Sequence, residues 1–261
     1  GPRRIRTEDM DEASDLLLRI GKKYTGSYSY KSPIWHATVA SLLGYDDNPG
    51  LLRRLLDHEA EREGFLHPER FEFEIKSSPD SPDNNPNYVT LDLGEGENIR
   101  IQGRIDRIDT TPDGYFAIID YKTGSQYPNG KRISEGKALQ LPLYLLALEK
   151  MYENTDKPRI GIGGSYLEIS RKIKQTWPLL DPERKHIAGH SRARGTTGFH
   201  DVTKGALAAA QQYINGMRAG VFPLPQDRCT ISSYCPYSGI CRFDRFRNAE
   251  QSEEGGEDGR D

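Results

Sequence analysis

The chain has 261 residues and a formal net charge of −3. That length supports one large domain or two small ones with a real core, while a mean hydropathy of −0.75 keeps the core lean. No run of about 18 apolar residues is present, which excludes a membrane-spanning helix, and no apolar segment follows "GPRRIR" as a signal peptide would require. The balance of charge argues against attraction of the whole molecule to polyanions, so any nucleic-acid contact must come from a local patch. Gly1-Pro2 resembles the scar left when a tag is cut off, in which case the natural chain extends further upstream.

In chain order, residues 8–24 are predicted helical, with acids in the first turn and bases in the last, as the helix dipole favours. Asn48-Pro49 is expected to cap a second helix carrying the stripe Leu51, Leu52, Leu55 and Leu56 and stopped by Gly64. Residues 70–76, "RFEFEIK", alternate at period two and predict a strand. The turn-rich "SSPDSPDNNPNY" is a loop, and two strands follow, over about 98–110 and 115–122. Residues 134–151 are predicted to form a helix despite Pro142, and 159–170 another strand. Residues 171–200 carry many bases and little apolar pattern, which predicts a mobile loop. Residues 201–219 read as a helix capped by Asp201 or Thr203. The fold class is α/β, a mixed central sheet flanked by helices and not a regular βαβ repeat. The end, "NAEQSEEGGEDGRD", is acidic and Gly-rich and reads as disordered.

The stretch "GRIDRIDTTPDGYFAIIDYKTG", residues 103–124, carries charge close to an apolar run. Its turn "TPDG" suits a three-residue hairpin loop: Pro112 and Asp113 at the centre of a type I turn, Gly114 in the left-handed position. Thr111 then pairs with Tyr115, and the register brings Asp106 opposite Asp120. Directly opposed side chains share a face at roughly 5 Å between Cβ atoms, and Lys122, two residues on, lies on that face too. Two carboxylates this close do not both stay ionised without a cation. Mg2+ or Mn2+, which take carboxylate and carbonyl oxygens, resolve the conflict, with the Tyr121 carbonyl as a further ligand. Lys122 then acts on an attacking water or on an anionic transition state, the chemistry of metal-assisted phosphodiester hydrolysis.

Gln140 and Tyr144, four apart on one helix face, complete a set of three motifs: "GRIDRID", "DYKTG" and "QLPLY". Over roughly residues 60–245 the set resembles the RecB-like branch of the PD-(D/E)XK nucleases, especially the nuclease domains of AddB-type helicase–nuclease subunits. The resemblance implies an active site built from Asp106, Asp120, Lys122, Gln140 and Tyr144, with Glu72 of the first core strand as a further metal-site acid. It implies single-stranded DNA or DNA ends as substrate, cleaved by exonuclease or endonuclease action, and a helicase domain or subunit as partner. The three cysteines, Cys229, Cys235 and Cys241, resemble the family's C-terminal iron–sulfur ligands. They imply a [4Fe–4S] cluster whose fourth ligand lies outside this chain. An odd, tight cluster of cysteines also suits a reducing, cytoplasmic compartment better than a secreted disulfide framework.

The family's upstream metal-ligating histidine has no clear counterpart, since His36 follows Ser32 where the family has glycine, and it reads as a packed helical residue. His186, His190 and His200 are expected in solvent. Arg104, Arg107, Lys131 and Arg132 flank the site as candidate DNA contacts, supplemented by the bases of the 171–200 segment and by Trp177 or Tyr144 as base-stacking surfaces. The expected division is a helical region over 1–66, a nuclease core over 67–222, a cysteine segment over 223–247 and an acidic tail over 248–261. The competing expectation, from another class, is a catalytically inactive nuclease-like DNA-binding or scaffold module.

Overall fold

A computed structural model of the chain describes residues 4–28, 32–45, 48–76, 89–94, 96–124, 126–153, 155–170 and 172–222. The turn-rich 77–88 segment, the cysteines Cys229, Cys235 and Cys241 and the acidic tail lie outside the described residues. Two compact units divide the chain, residues 1–215 and 216–261. Of the second, only 216–222 are described, including a turn in which the Val221 amide donates to Gly216 O at 2.8 Å. Among the described residues no helix is long and apolar enough to cross a membrane.

Helices α1 (Met10–Gly26), α2 (Pro33–Leu43) and α3 (Leu51–Glu61) pack on one another. Asn48-Pro49 does not cap α3. It forms β2, paired with β1 (Gly44–Tyr45), and Gly50 is the residue that leads into α3. The central sheet runs in the order β3-β6-β7-β8-β9, from β3 (His67–Ile75), β6 (Gly103–Thr110), β7 (Tyr115–Lys122), β8 (Ile160–Ile169) and β9 (Ile173–Leu180). Only β7 and β8 are parallel; β3/β6, β6/β7 and β8/β9 are antiparallel. A parallel pair needs a crossover, and α5 (Gln140–Glu153) lies within that connection, after the short α4 (Gly130–Ser134). The helix expected over 134–151 therefore begins only at Gln140, and α4 precedes it. Pro142 is tolerated because it is the third residue of α5, where its missing N–H would have no intrahelical partner.

The expected strand over 98–110 is broken at Gln102. Its first half, β5 (Glu97–Ile101), leaves the sheet to pair with β4 (Val89–Gly94). Residues 171–200 are not a mobile loop. They contain the edge strand β9, in which Pro178 is allowed because an edge has unpaired positions. A folded turn region then buries Asp181, Ile187 and Ala188. Helix α6 (Phe199–Arg218) starts earlier than expected, and the Thr203 hydroxyl is buried in it, donating to Phe199 O at 2.7 Å.

β7 is buried on both faces. Phe116 and Ile118 join Leu141, Leu145, Leu148 and Tyr166 in the larger apolar cluster, on the α5 side. Ala117 faces the other way, into Leu66, Ile162, Leu180 and Ile187. A strand covered on both faces loses the polar alternation of a half-buried one, which explains the continuous apolar run "YFAII".

On that second face the sheet also buries charge. Arg107, only 3 % exposed, donates from Nε and Nη2 to Asp109 at 2.5 and 2.8 Å and from Nη1 and Nη2 to Glu59 of α3 at 2.7 and 2.9 Å. Arg62 donates to Glu59 at 3.0 Å and to Asp109 at 2.8 Å. Two anions and two cations therefore close a ring that ties the helical layer to the sheet. Glu59 and Arg62 belong to the helical region expected over 1–66, Arg107 and Asp109 to the core expected over 67–222.

The ring makes stability pH-dependent in a definite direction. Burial opposes ionisation of Glu59, but hydrogen bonds and charge from Arg107 and Arg62 overcome it and bring its pKa from 4.5 down to about 2. A depressed carboxylate contributes stability that is complete above its unfolded pKa and is lost as pH falls toward its folded one. At pH 7, Glu59→Gln should cost on the order of 3 kcal/mol, a fall of roughly 10 °C in melting temperature. The gap between parent and variant should narrow between pH 4.5 and pH 3 in thermal melts. A gap that stays constant or widens on acidification contradicts the assignment.

Candidate active site

The hairpin β6–β7 forms as its turn chemistry dictates. The Gly114 amide donates to Thr111 O at 3.2 Å, the Thr111 amide to Tyr115 O at 2.9 Å, and Gly114 has φ of 87°. The pairs Thr110↔Phe116, Asp109↔Ala117, Ile108↔Ile118 and Arg107↔Ile119 follow in register. One step further along that register, Asp106 comes opposite Asp120. There the regular ladder stops, and the Tyr121 amide donates to Asp106 Oδ2 at 2.8 Å instead.

Asp120 is 6 % exposed. Its Oδ1 accepts from Gln140 Nε2, at the first position of α5, at 2.7 Å. Its Oδ2 lies 2.5 Å from Lys122 Nζ, yet it is buried with no hydrogen bond of proper geometry, so this contact is ionic only. The Lys122 ammonium also lies 5.4 Å from the centroid of the Tyr166 ring, within the range of a cation–π contact. Burial pushes the Asp120 pKa up and the Asp106 charge adds to this, while Lys122 and Gln140 pull the other way.

Tyr144 joins the third motif to the first. Its phenol lies against the backbone at Gly103, and burial raises its pKa. Gly103 leaves the space for the ring: a Cβ there would overlap the Tyr144 hydroxyl and come to 3.0 Å from Cε1 and Cζ. The glycine of "GRID" is therefore required by close approach and not by its φ.

Asp106, Asp120, Lys122, Gln140 and Tyr144 thus come together. The donor types suit a hard divalent cation: two carboxylates, one of which (Asp120) has a buried oxygen with no hydrogen bond, and the neighbouring Tyr121 carbonyl. Glu72 does not join them. It occupies the β3 position between Phe71↔Arg107 and Phe73↔Ile105, hence across from Asp106. Its φ of 49° takes it out of the regular alternation, and its Oε2 pairs with exposed Arg104 Nε at 2.9 Å. Among the described residues no group of three His, Cys, Asp or Glu converges on one point.

Arg107 is not a DNA contact, because it is spent in the buried ring on the other face. Lys131 is exposed on α4, where it pairs with Glu135 at 3.7 Å; Arg132 is half-buried beside it. Trp177 is half-buried and packs against the second cluster, with its ring 5.5 Å from that of His190. His190 is half-buried and its pKa is lowered, first by burial. His36 is helical but exposed; His186 and His200 are exposed as expected. Sequence reasoning missed Tyr166, which β-register alone puts beside Asp120, and the spatial task of Gly103.

Two outcomes follow from this geometry. Gly103→Ala should displace Tyr144 and destabilise the chain by about 1–3 kcal/mol, the usual cost of overpacking. Adding Tyr144→Phe, which removes the overlapping hydroxyl, should recover part of the loss; a purely additive double variant counts against the contact. Asp120→Asn relieves a disfavoured buried charge, so in EDTA it should raise the melting temperature by roughly a few degrees. Mn2+ should stabilise the parent and not the variant. A lower melting temperature for the variant in EDTA would mean that Asp120 is a purely structural ion-pair partner.

A family model described as the PD-(D/E)XK nuclease superfamily matches residues 45–242. Among curated proteins, the chain is similar to the B-type subunits of three ATP-dependent helicase/deoxyribonucleases. The one from Thermoanaerobacter sp. (strain X514) is 27% identical, that from Clostridium perfringens (strain SM101 / Type A) 28% and that from Alkaliphilus metalliredigens (strain QYMF) 32%. Each match covers 60% of this chain and 18% of the relative, so the chain spans less than a fifth of the length of these relatives. With its mixed five-stranded sheet and the family match over most of its length, the chain belongs to the PD-(D/E)XK nuclease superfamily, in its RecB-like branch.

Proposed function

We propose that this chain is the Mg2+- or Mn2+-dependent deoxyribonuclease domain of a helicase–nuclease system for DNA repair and recombination. Its substrate is single-stranded DNA or DNA ends, cleaved by exonuclease or endonuclease action. The observation that carries the reading is Asp120, a buried carboxylate set against Asp106, with one oxygen fixed by Gln140 and the other lacking a hydrogen bond. The names of the relatives, each part of a helicase/deoxyribonuclease, support DNA as substrate and a helicase domain or subunit as partner. The sequence has no Gly-x-x-x-x-Gly-Lys-Ser/Thr phosphate loop of its own. A cytoplasmic location fits this reading.

In the mechanism, Asp106, Asp120 and the Tyr121 carbonyl are the residues that would hold the cation. When bound, it supplies Lewis-acid stabilisation of charge on the phosphoryl oxygens. Gln140 fixes the rotamer of Asp120 through Oδ1 and leaves Oδ2 turned to the site. Lys122, held between Asp120 and the Tyr166 ring, would stabilise the developing anion as the ammonium or, as the free amine, take a proton from the attacking water at Nζ. Tyr144 braces the strand that presents Asp106. Exposed Arg104 and the α4 bases Lys131 and Arg132 are the candidate phosphate contacts. The cysteine reading, Cys229, Cys235 and Cys241 as three ligands of a [4Fe–4S] cluster completed from outside this chain, rests on sequence alone.

Cleavage of end-labelled single-stranded DNA in Mg2+ and Mn2+ tests the proposal. Lys122→Ala should lower the rate by about 10²–10⁴-fold, the scale of one acid–base or positioning group. DNA affinity should change by no more than about one phosphate contact. Unchanged cleavage by both Lys122→Ala and Asp120→Ala would remove the active-site assignment. A parent that binds single-stranded DNA but never cleaves it would favour the scaffold reading.

A further inference from the structure

One acid beside the site belongs to none of the three motifs. The parallel pairing of β7 with β8 sets Asp120 against Tyr166 and Lys122 against Glu168. Registered neighbours on adjacent strands share a face, so half-buried Glu168 stands on the site side. Two contacts fix it there. The Tyr127 ring packs 5.3 Å from that of Tyr166, and its hydroxyl donates to Glu168 Oε2 at 3.4 Å. The Ser170 hydroxyl donates to Oε1 at 2.8 Å. Both partners are neutral, and a carboxylate accepts about four hydrogen bonds, so acceptor capacity is left over. Lys174, opposite on the edge strand β9, is exposed and, among the described residues, forms no ion pair with Glu168.

Lys122 Nζ occupies the Asp120 oxygen that a metal ion would need. To clear it, the ammonium has to move and yet stay beside the reacting phosphate. The Tyr166 ring already flanks it on the β8 side, 5.4 Å from Nζ, and Glu168 is two residues further along the same face. Neighbouring strands lie about 4.8 Å apart, within reach of a lysine stem. We infer that Glu168 is a positioning residue: its carboxylate receives the Lys122 ammonium when Asp120 turns to a metal ion. This deepens the metal-dependent nuclease reading and rests on it. A carboxylate with a purely local structural part would need only Ser170 and Tyr127; direct register with Lys122 on the site face is what that part does not need.

Glu168→Gln removes the charge and keeps the size. Mn2+ binding to the full chain is measured calorimetrically without DNA, with melting in EDTA as the check on the fold. Glu168→Gln should weaken Mn2+ binding by about fivefold, the upper scale of a partly exposed ion pair, with a melting temperature in EDTA close to that of the parent. Glu168→Asp, which keeps the charge, should recover most of the affinity. In a Lys122→Met background there is no ammonium to move, so Glu168→Gln should have little further effect. A loss of the same size in both backgrounds would mean that Glu168 acts on the ion through its own charge, and overturns the inference. A Glu168→Gln chain that melts far below the parent assigns the acid a structural part and overturns it too. So does equal Mn2+ affinity in Glu168→Gln and parent, or no recovery in Glu168→Asp, while Asp120→Ala abolishes binding; the nuclease reading then stands. If Asp120→Ala binds Mn2+ as the parent does, the metal reading falls and the inference with it.

Discussion

Asp106 and Asp120 oppose each other on neighbouring strands, and that opposition has to be neutralised before anything else about the site can hold. The charge-neutral ways out are protonation or a cation. The structure uses a local cation, Lys122, at 2.5 Å from Asp120 Oδ2. It also uses hydrogen bonds that stabilise a carboxylate, the Tyr121 amide on Asp106 and the Gln140 amide on Asp120. The compensation is incomplete, since the Asp120 pKa stays raised by burial. A site left short of positive charge in this way is one in which a divalent cation gains most.

Charge near the hydrophobic centre of the sheet has two separate explanations, one for each face. On the α5 side Asp106, Asp120 and Lys122 make the site. On the other side Arg107 and Asp109 of the same strand close a ring with Glu59 and Arg62. The ring is costly to break but of small net benefit compared with an apolar replacement. What it adds is location: it permits a single register of α3 against the sheet. Tyr121 is the residue where the two faces meet, its backbone on one and its phenol on the other.

What could be read from the sequence was what local chemistry decides. "TPDG" allows one turn, the turn sets one register, and the register gives the Asp106–Asp120 opposition, with no long-range information needed. Gln140 and Tyr144 were legible differently: their spacing puts them on one helix face, and only the family resemblance assigns them to the site. The errors fall where distant residues decide. Nothing within "RIDRID" distinguishes Arg104, which is exposed and paired with Glu72, from Arg107, whose partner Glu59 is 48 residues away. Strand β9 was hidden because an edge strand tolerates Lys174, Gln175 and Pro178, so its pattern resembles a loop. The break at Gln102 and the separate pairing of β4 with β5 likewise depend on α5, against which Val89, Leu91 and Ile101 pack in the larger cluster.

The choice of lysine at position 122 follows from the same charge balance. A guanidinium would engage both oxygens of Asp120 in a planar fork. It would displace Gln140 from Oδ1 and fill Oδ2, leaving no oxygen for a cation. An ammonium is a point charge on a flexible stem and neutralises one oxygen only. Its side chain is 31% exposed against 9% for that of Asp120, so it can withdraw toward solvent with little desolvation change while the aspartate stays in place. The Tyr166 ring, fully buried and fixed by the parallel pairing Asp120↔Tyr166, offers the ammonium a second favourable surface. The site therefore holds a monovalent cation that is easy to move beside a carboxylate that is not, which is the arrangement a stronger, exchangeable cation requires.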